Sequence, residues 1–193
     1  MGDGTHAPRF LASPPLDIMT DGGSGPNRRL RVDVAQTGFF AGREFRTFLE
    51  LDMADGESIV VRATVPINVI LFGLTANLVA GEIRIETIAG GTEGGTFDDP
   101  LPIFNRNNMS SRPMPAYQHQ VDLDAGGTHS GGLLLDVLLN KAADNANFAS
   151  TVDASQGDER GVAPDTYYFR MTATGATRGV FRARWEERPE GVY

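Results

Sequence analysis

The chain has no cysteine among its 193 residues, so neither a disulfide nor a thiolate-held metal contributes to its stability. Basic charge is scarce and unevenly divided, with sixteen arginines beside a single lysine, Lys141. Against 25 acidic residues this leaves a formal net charge of −8 and an isoelectric point near 4.8. General nucleic-acid binding needs a cationic face and is not expected of such a chain. Long apolar runs are also missing, and none approaches the roughly 20 residues that span a bilayer as a helix. The opening MGDGTHAPRFLASPP has neither the basic stretch nor the apolar one of a secretion signal. His6 stands where the N-myristoylation pattern asks for Ser or Thr. The expectation is a protein made and left in a cytoplasm, with no membrane partner.

Chemistry-bearing residues are few. There are three histidines, His6, His119 and His129, and no zinc-type spacing joins them. Ser130, His129 and Asp136 supply the residue types of a triad, but no Gly-x-Ser-x-Gly elbow accompanies them. The carboxylates Asp98-Asp99, Asp122/Asp124 and Asp158-Glu159 read as solvated turn residues rather than a calcium loop. Two glycine-rich stretches echo one another, 89–95 (AGGTEGG) and 125–132 (AGGTHSGG). Both follow an expected strand, so a shared turn geometry is the economical explanation, and neither has the Lys-Ser/Thr ending of a phosphate loop. The reading is a non-enzyme with no metal and no cofactor.

What the chain does contain is alternation. In residues 42–53, Phe45, Thr47, Leu49, Leu51 and Met53 fall on one face; Glu44, Arg46, Phe48, Glu50 and Asp52 fall on the other. A period of two marks a half-buried strand. Asp55-Gly56 follows as a hairpin turn. A return strand with Ile59, Val61, Ala63 and Val65 inward then ends at Pro66. Residues 67–74 are apolar throughout and 81–88 alternate, giving two more strands. Residues 89–116 are expected as a long Gly/Pro/Asn-rich loop, followed by a strand at 117–123 that turns at Gly126-Gly127. The run 132–139 (GLLLDVLL) is open between strand and short helix, its alternation favouring a buried strand. Residues 165–174 and 178–185 complete the pattern as a closing hairpin joined by Gly175-Ala176-Thr177.

The fold expected is all-β, an antiparallel β-sandwich or jelly-roll-like domain over 29–193 that starts with the strand LRVDV. Ahead of it, residues 1–28 hold four prolines and several glycines and form an extended or disordered N-terminal arm. Phe10, Leu11 and Ile18 give that arm apolar groups to bury. Phe39-Phe40 precede Gly42 in a turn-like setting, and aromatics so placed are common interface anchors. Phe104, Arg106 and Arg112 lie in the expected long loop, and arginine suits planar, bidentate pairing at interfaces. These eight residues are the candidate contacts.

The blocks FFAGREFRTF, ATVPINVILFGL, GGTEGGTF…LPIFNRNNM, GGTHSGG…LDV, GDERGVAPDTYYFRM and GVFRARWEER resemble a class of small virion proteins of tailed bacteriophages. Its members are described as virion structural, capsid decoration (cement) or head-fibre proteins. The resemblance covers about residues 36 to 188. It implies a β-rich subunit that associates with itself and is bound to a capsid or tail; the reading taken is a decoration protein at the capsid surface, most simply a homotrimer, with the major capsid protein as partner. The alternative it implies is a tail or head-fibre component that binds the host surface.

Overall fold

The structure, a computed structural model, describes residues 37–107, 119–143, 150–153 and 160–188. The chain divides into two units, Met1–Thr37 and Gly38–Tyr193. The expected arm at 1–28, with Phe10, Leu11 and Ile18, lies outside the described residues, as do the expected strand LRVDV and Arg112.

Apart from one helical turn, α1 (Thr37–Phe40), the described elements are strands. They are β1 (Glu44–Met53), β2 (Ser58–Val65), β3 (Asn68–Ala89), β4 (Thr92–Pro100), β5 (Ile103–Asn105), β6 (Asp122–Ser130), β7 (Leu133–Lys141), β8 (Ser150–Asp153), β9 (Arg160–Val162) and β10 (Asp165–Arg188). All their pairings are antiparallel. The all-β, sandwich-like architecture is as expected from the alternation.

Its construction differs from a chain of hairpins. Residues 165–188 form one strand of 24 residues, not a closing hairpin. Residues 68–89 likewise form one strand of 22. These two run side by side along their length, with register shifts on β10 between Thr174 and Arg178, at Arg178/Gly179 and again at Arg184/Trp185. On the other side of β10, β1 pairs with 177–186 and β2 with 165–172. The Asp55-Gly56 turn is therefore no hairpin: β1 and β2 are successive segments of one row. Three neighbouring rows bend at one level, at Asp55-Gly56, at Gly81 and at Gly175–Thr177.

The bend closes the sandwich. Phe169 and Phe181 stand twelve positions apart on β10, about 40 Å in a straight strand, yet their ring centroids are 5.9 Å apart. One half-sheet runs β4-β6-β2-β10-β3-β7; the other runs β5-β1-β10-β3 with β8 and β9. Their inner faces share a core that includes Phe45, Leu78, Ile83, Ile85, Met171, Phe181 and Trp185.

Sequence chemistry explains the bend. Gly81 has φ of +75°, a region costly for residues with a side chain. A Cβ there would fall against the Thr177 hydroxyl and within 2.6 Å of the Ala176 carbonyl oxygen. Thr177 is fully buried. Its Oγ1 accepts from the Glu82 N–H (3.2 Å) and lies 2.9 Å from the Glu82 carbonyl and 3.1 Å from that of Gly175. The Asp55 carboxylate accepts from the Gly175 N–H at 2.7 Å.

The described part of the expected loop 89–116 carries β4 and β5 instead. The two glycine-rich stretches are partners in this region: Thr92 pairs with Ser130, Glu93 with His129, Gly94 with Thr128. Gly126-Gly127 therefore lies within a strand rather than at a turn, and the echo reflects pairing rather than a repeated turn. A Cβ on Gly127 would lie 2.9 Å from the Gly94 carbonyl oxygen and against the Phe97 ring.

Candidate contact surfaces

Four of the candidate contacts meet at one end of the second half-sheet. Phe39 and Phe40 sit on α1, packed edge to face with centroids 5.5 Å apart. Phe40 is 57% exposed. Phe104, on β5, lies parallel to Phe48 of β1 at 5.7 Å, and both rings are exposed. Arg106, just after β5, places its guanidinium 5.8 Å from the Phe39 ring.

Buried charge anchors this end. Glu44 and Glu186 are directly opposed across β1 and β10, and both are buried. Like charges so placed destabilise a sheet unless neutralised. Arg106 pairs with Glu44, while Arg43 (3.2 Å) and Arg188 (3.0 Å) pair with Glu186. The Asn107 side chain donates to the Phe40 carbonyl at 3.4 Å, tying α1 to the residues after β5.

Beside these pairs, Glu187 is fully buried. Burial pushes its carboxyl above the usual carboxylate range. The backbone N–H groups of Gln120 (2.7 Å) and Val121 (3.1 Å) donate to Oε1 and partly oppose that shift, as do the Trp185 indole and His119. Oε2 and the Trp185 Nε1 each lack a partner in hydrogen-bonding geometry, so the indole acts on the carboxyl as a nearby dipole only.

A second surface was not read from the sequence. The run 132–139, expected to be buried, forms β7, which pairs only with β3 among the described strands. Leu133, Leu134, Leu135 and Leu139 are exposed; among the described residues, they are half of the eight large apolar side chains that are. Alternation in a leucine-rich strand signals two faces but not whether each is covered. Only the position of β7 at the edge of the described strands decides that.

The histidines are placed separately. His129 stacks on Tyr168 at 4.0 Å with Nε2 2.8 Å from the Gly90 carbonyl, and His119 meets Phe45 edge to face at 6.2 Å. No group of three or more His, Asp or Glu arranged to hold a metal occurs among the described residues. A part-open pocket of about 140 Å³ is lined by Val65, Val69, Leu123, Leu135, Phe169 and Trp185 among others. That is below the roughly 300 Å³ at which small-molecule sites begin. On the outer face, by contrast, an open trough of about 610 Å³ lies between Phe48, Phe104 and several arginines.

No family model, no curated protein and no solved structure matches this chain.

Proposed function

We propose that the chain is a structural protein of a tailed-bacteriophage virion, a capsid decoration (cement) protein that bridges shell subunits at the capsid surface. The observation that carries this reading is the leucine edge of β7, a strand paired on one side only among the described strands and bearing four exposed leucines. Exposed apolar groups on an open strand edge favour association, and soluble monomers commonly blunt such edges with charge or proline. The aromatic end, with Phe40, Phe48 and Phe104 exposed, offers a second contact surface. The sequence resemblance implies self-association and binding to a capsid or tail, and the partners of this reading are further copies of the chain, most simply as a homotrimer, and the major capsid protein. The mechanism is linkage, in which a subunit that binds only the intact shell stabilises that shell by mass action.

Leu133→Thr with Leu139→Thr tests the edge directly, since threonine suits a strand and both positions are exposed. Self-association measured by light scattering should weaken at least about tenfold, as loss of apolar anchors does. Unchanged association with unchanged folding would remove β7 from the interface.

The tail or head-fibre alternative is favoured by one observation. The arginine-lined trough is concave, more like a ligand site than a flat shell contact.

A further inference from the structure

The sharpest electrostatic conflict left uncompensated lies on the outer face of the second half-sheet. Arg46 on β1 is directly opposite Arg184 on β10, and Arg182 follows two positions away on the same face. Opposed like charges destabilise an antiparallel pair. The Glu44–Glu186 conflict nearby is relieved by three arginines. This one is not: among the described residues, no ion pair joins Arg46, Arg182 or Arg184 to any of the acids, and all three are exposed. Local rules broken without compensation are expected where a site serves a ligand.

The surroundings are built to hold one. Arg184 lies over the Phe72 ring at 5.3 Å, which positions the guanidinium while leaving its N–H edge to donate. Gly73 and Thr75 keep the floor low between these long side chains, which makes the trough. Phe48 and Phe104 line it with ring planes within 6° of parallel. Its volume of about 610 Å³ suits a small ligand. Glu50 is its one lining acid.

We propose that this trough binds an acidic saccharide. A sugar ring packs on Phe48 and Phe104, and its sulfate, phosphate or carboxylate accepts hydrogen bonds from Arg46, Arg182 and Arg184. Glu50 accepts from sugar hydroxyls, and the Thr75 hydroxyl exchanges hydrogen bonds with them. Glu50 suits a ligand that carries hydroxyl donors beside its acidic groups, which a run of acidic peptide side chains does not. A polynucleotide needs an extended cationic track, whereas here Arg46, Arg182 and Arg184 share one trough with Glu50 on a chain of net charge −8. The inference holds whatever position the chain occupies in a particle, and does not depend on its being a virion protein.

Calorimetric titration of the full chain with a heparin-derived tetrasaccharide tests it. Maltotetraose, inorganic sulfate and tetraglutamate serve as the neutral, ring-free and peptide comparisons. The tetrasaccharide should bind, and each comparison should bind at least about tenfold more weakly. Arg46→Gln with Arg184→Gln, and separately Phe48→Ala, should each weaken binding about tenfold or more, as loss of an anchor does. Arg178→Gln, exposed on β10 outside the trough, should leave it unchanged. A heparin polymer that binds more tightly than the tetrasaccharide points to a surface polysaccharide; equal affinity per site points to a free saccharide. Both support the proposal. Tetraglutamate binding as tightly, or affinity untouched in folded trough variants, or no tetrasaccharide binding, overturns it.

Discussion

At the scale of single residues, two buried carboxylates, Glu187 and Glu86, couple folding to pH in opposite directions. Glu187 has its pKa raised from the ordinary 4.5, first of all by burial. A carboxyl whose folded pKa exceeds its unfolded one binds its proton more tightly when folded. Its contribution is therefore most favourable below pH 4.5 and is lost as pH rises through the raised folded value. Glu187→Gln keeps a side-chain oxygen for the Gln120 and Val121 N–H groups while removing the charge. Denaturant unfolding across about pH 4 to 8 should show the Gln variant gaining on the native protein above about pH 4.5. A constant difference across that range would contradict the assignment. Glu86 runs the other way: burial acts upward, but Arg170 and Arg84 outweigh it and lower its pKa. Its contribution is present above the ordinary value and is lost as pH falls through the lowered one. Residue-scale legibility was mixed. Of the candidates chosen from local setting, Phe40 and Phe104 are exposed, while Phe39 and Arg106 are half-buried. Their grouping could not be read from local setting, because it depends on β5 pairing back onto β1, far earlier in the chain. Glu44, Glu186 and Glu187 were missed because a charged residue in an alternating strand reads as solvent-facing.

At the scale of elements, the crease is the main device. The positive φ of Gly81, the Thr177 hydroxyl and the Asp55 carboxylate fix one bend shared by three rows. Thr177→Val keeps the shape but strips the Glu82 N–H of that acceptor. It should cost about 1–3 kcal/mol in denaturant unfolding, the penalty of an unsatisfied buried donor. A loss within about 0.5 kcal/mol, the size of a neutral surface change, would show the bend to be held by packing alone. This element explains where the sequence reading succeeded and where it stopped. Alternation located the strands at 44–53, 58–65 and 81–88 because an inward face at every second residue survives any topology. The same glycines that signalled hairpins at Asp55-Gly56 and Gly175–Thr177 instead bend continuous rows. A glycine with positive φ serves a reversal or a bulge equally well, and only the partner strand distinguishes the two. The glycine-rich stretches were misread for a related reason. Strands this poor in side chains carry no alternation, yet Gly94, Gly126 and Gly127 are needed where β4 and β6 approach closely.

At the scale of the whole molecule, a creased all-β body without cysteine presents an apolar edge on β7 and an aromatic end beside an arginine trough. These features suit a subunit that works by contact, and the proposed role in a phage particle rests on them together with the sequence resemblance. The proposals assign association to the leucine edge and a ligand to the trough; the two lie on opposite half-sheets, so variants of one should leave the other intact. The central claim concerns membership of a particle, and the direct measurement is copy number. On the proposed reading the chain is part of a virion, and quantitative mass spectrometry of purified particles would set its abundance against the major shell subunit. The account predicts a ratio of the same order as the shell protein. Absence of the chain from purified particles would contradict it.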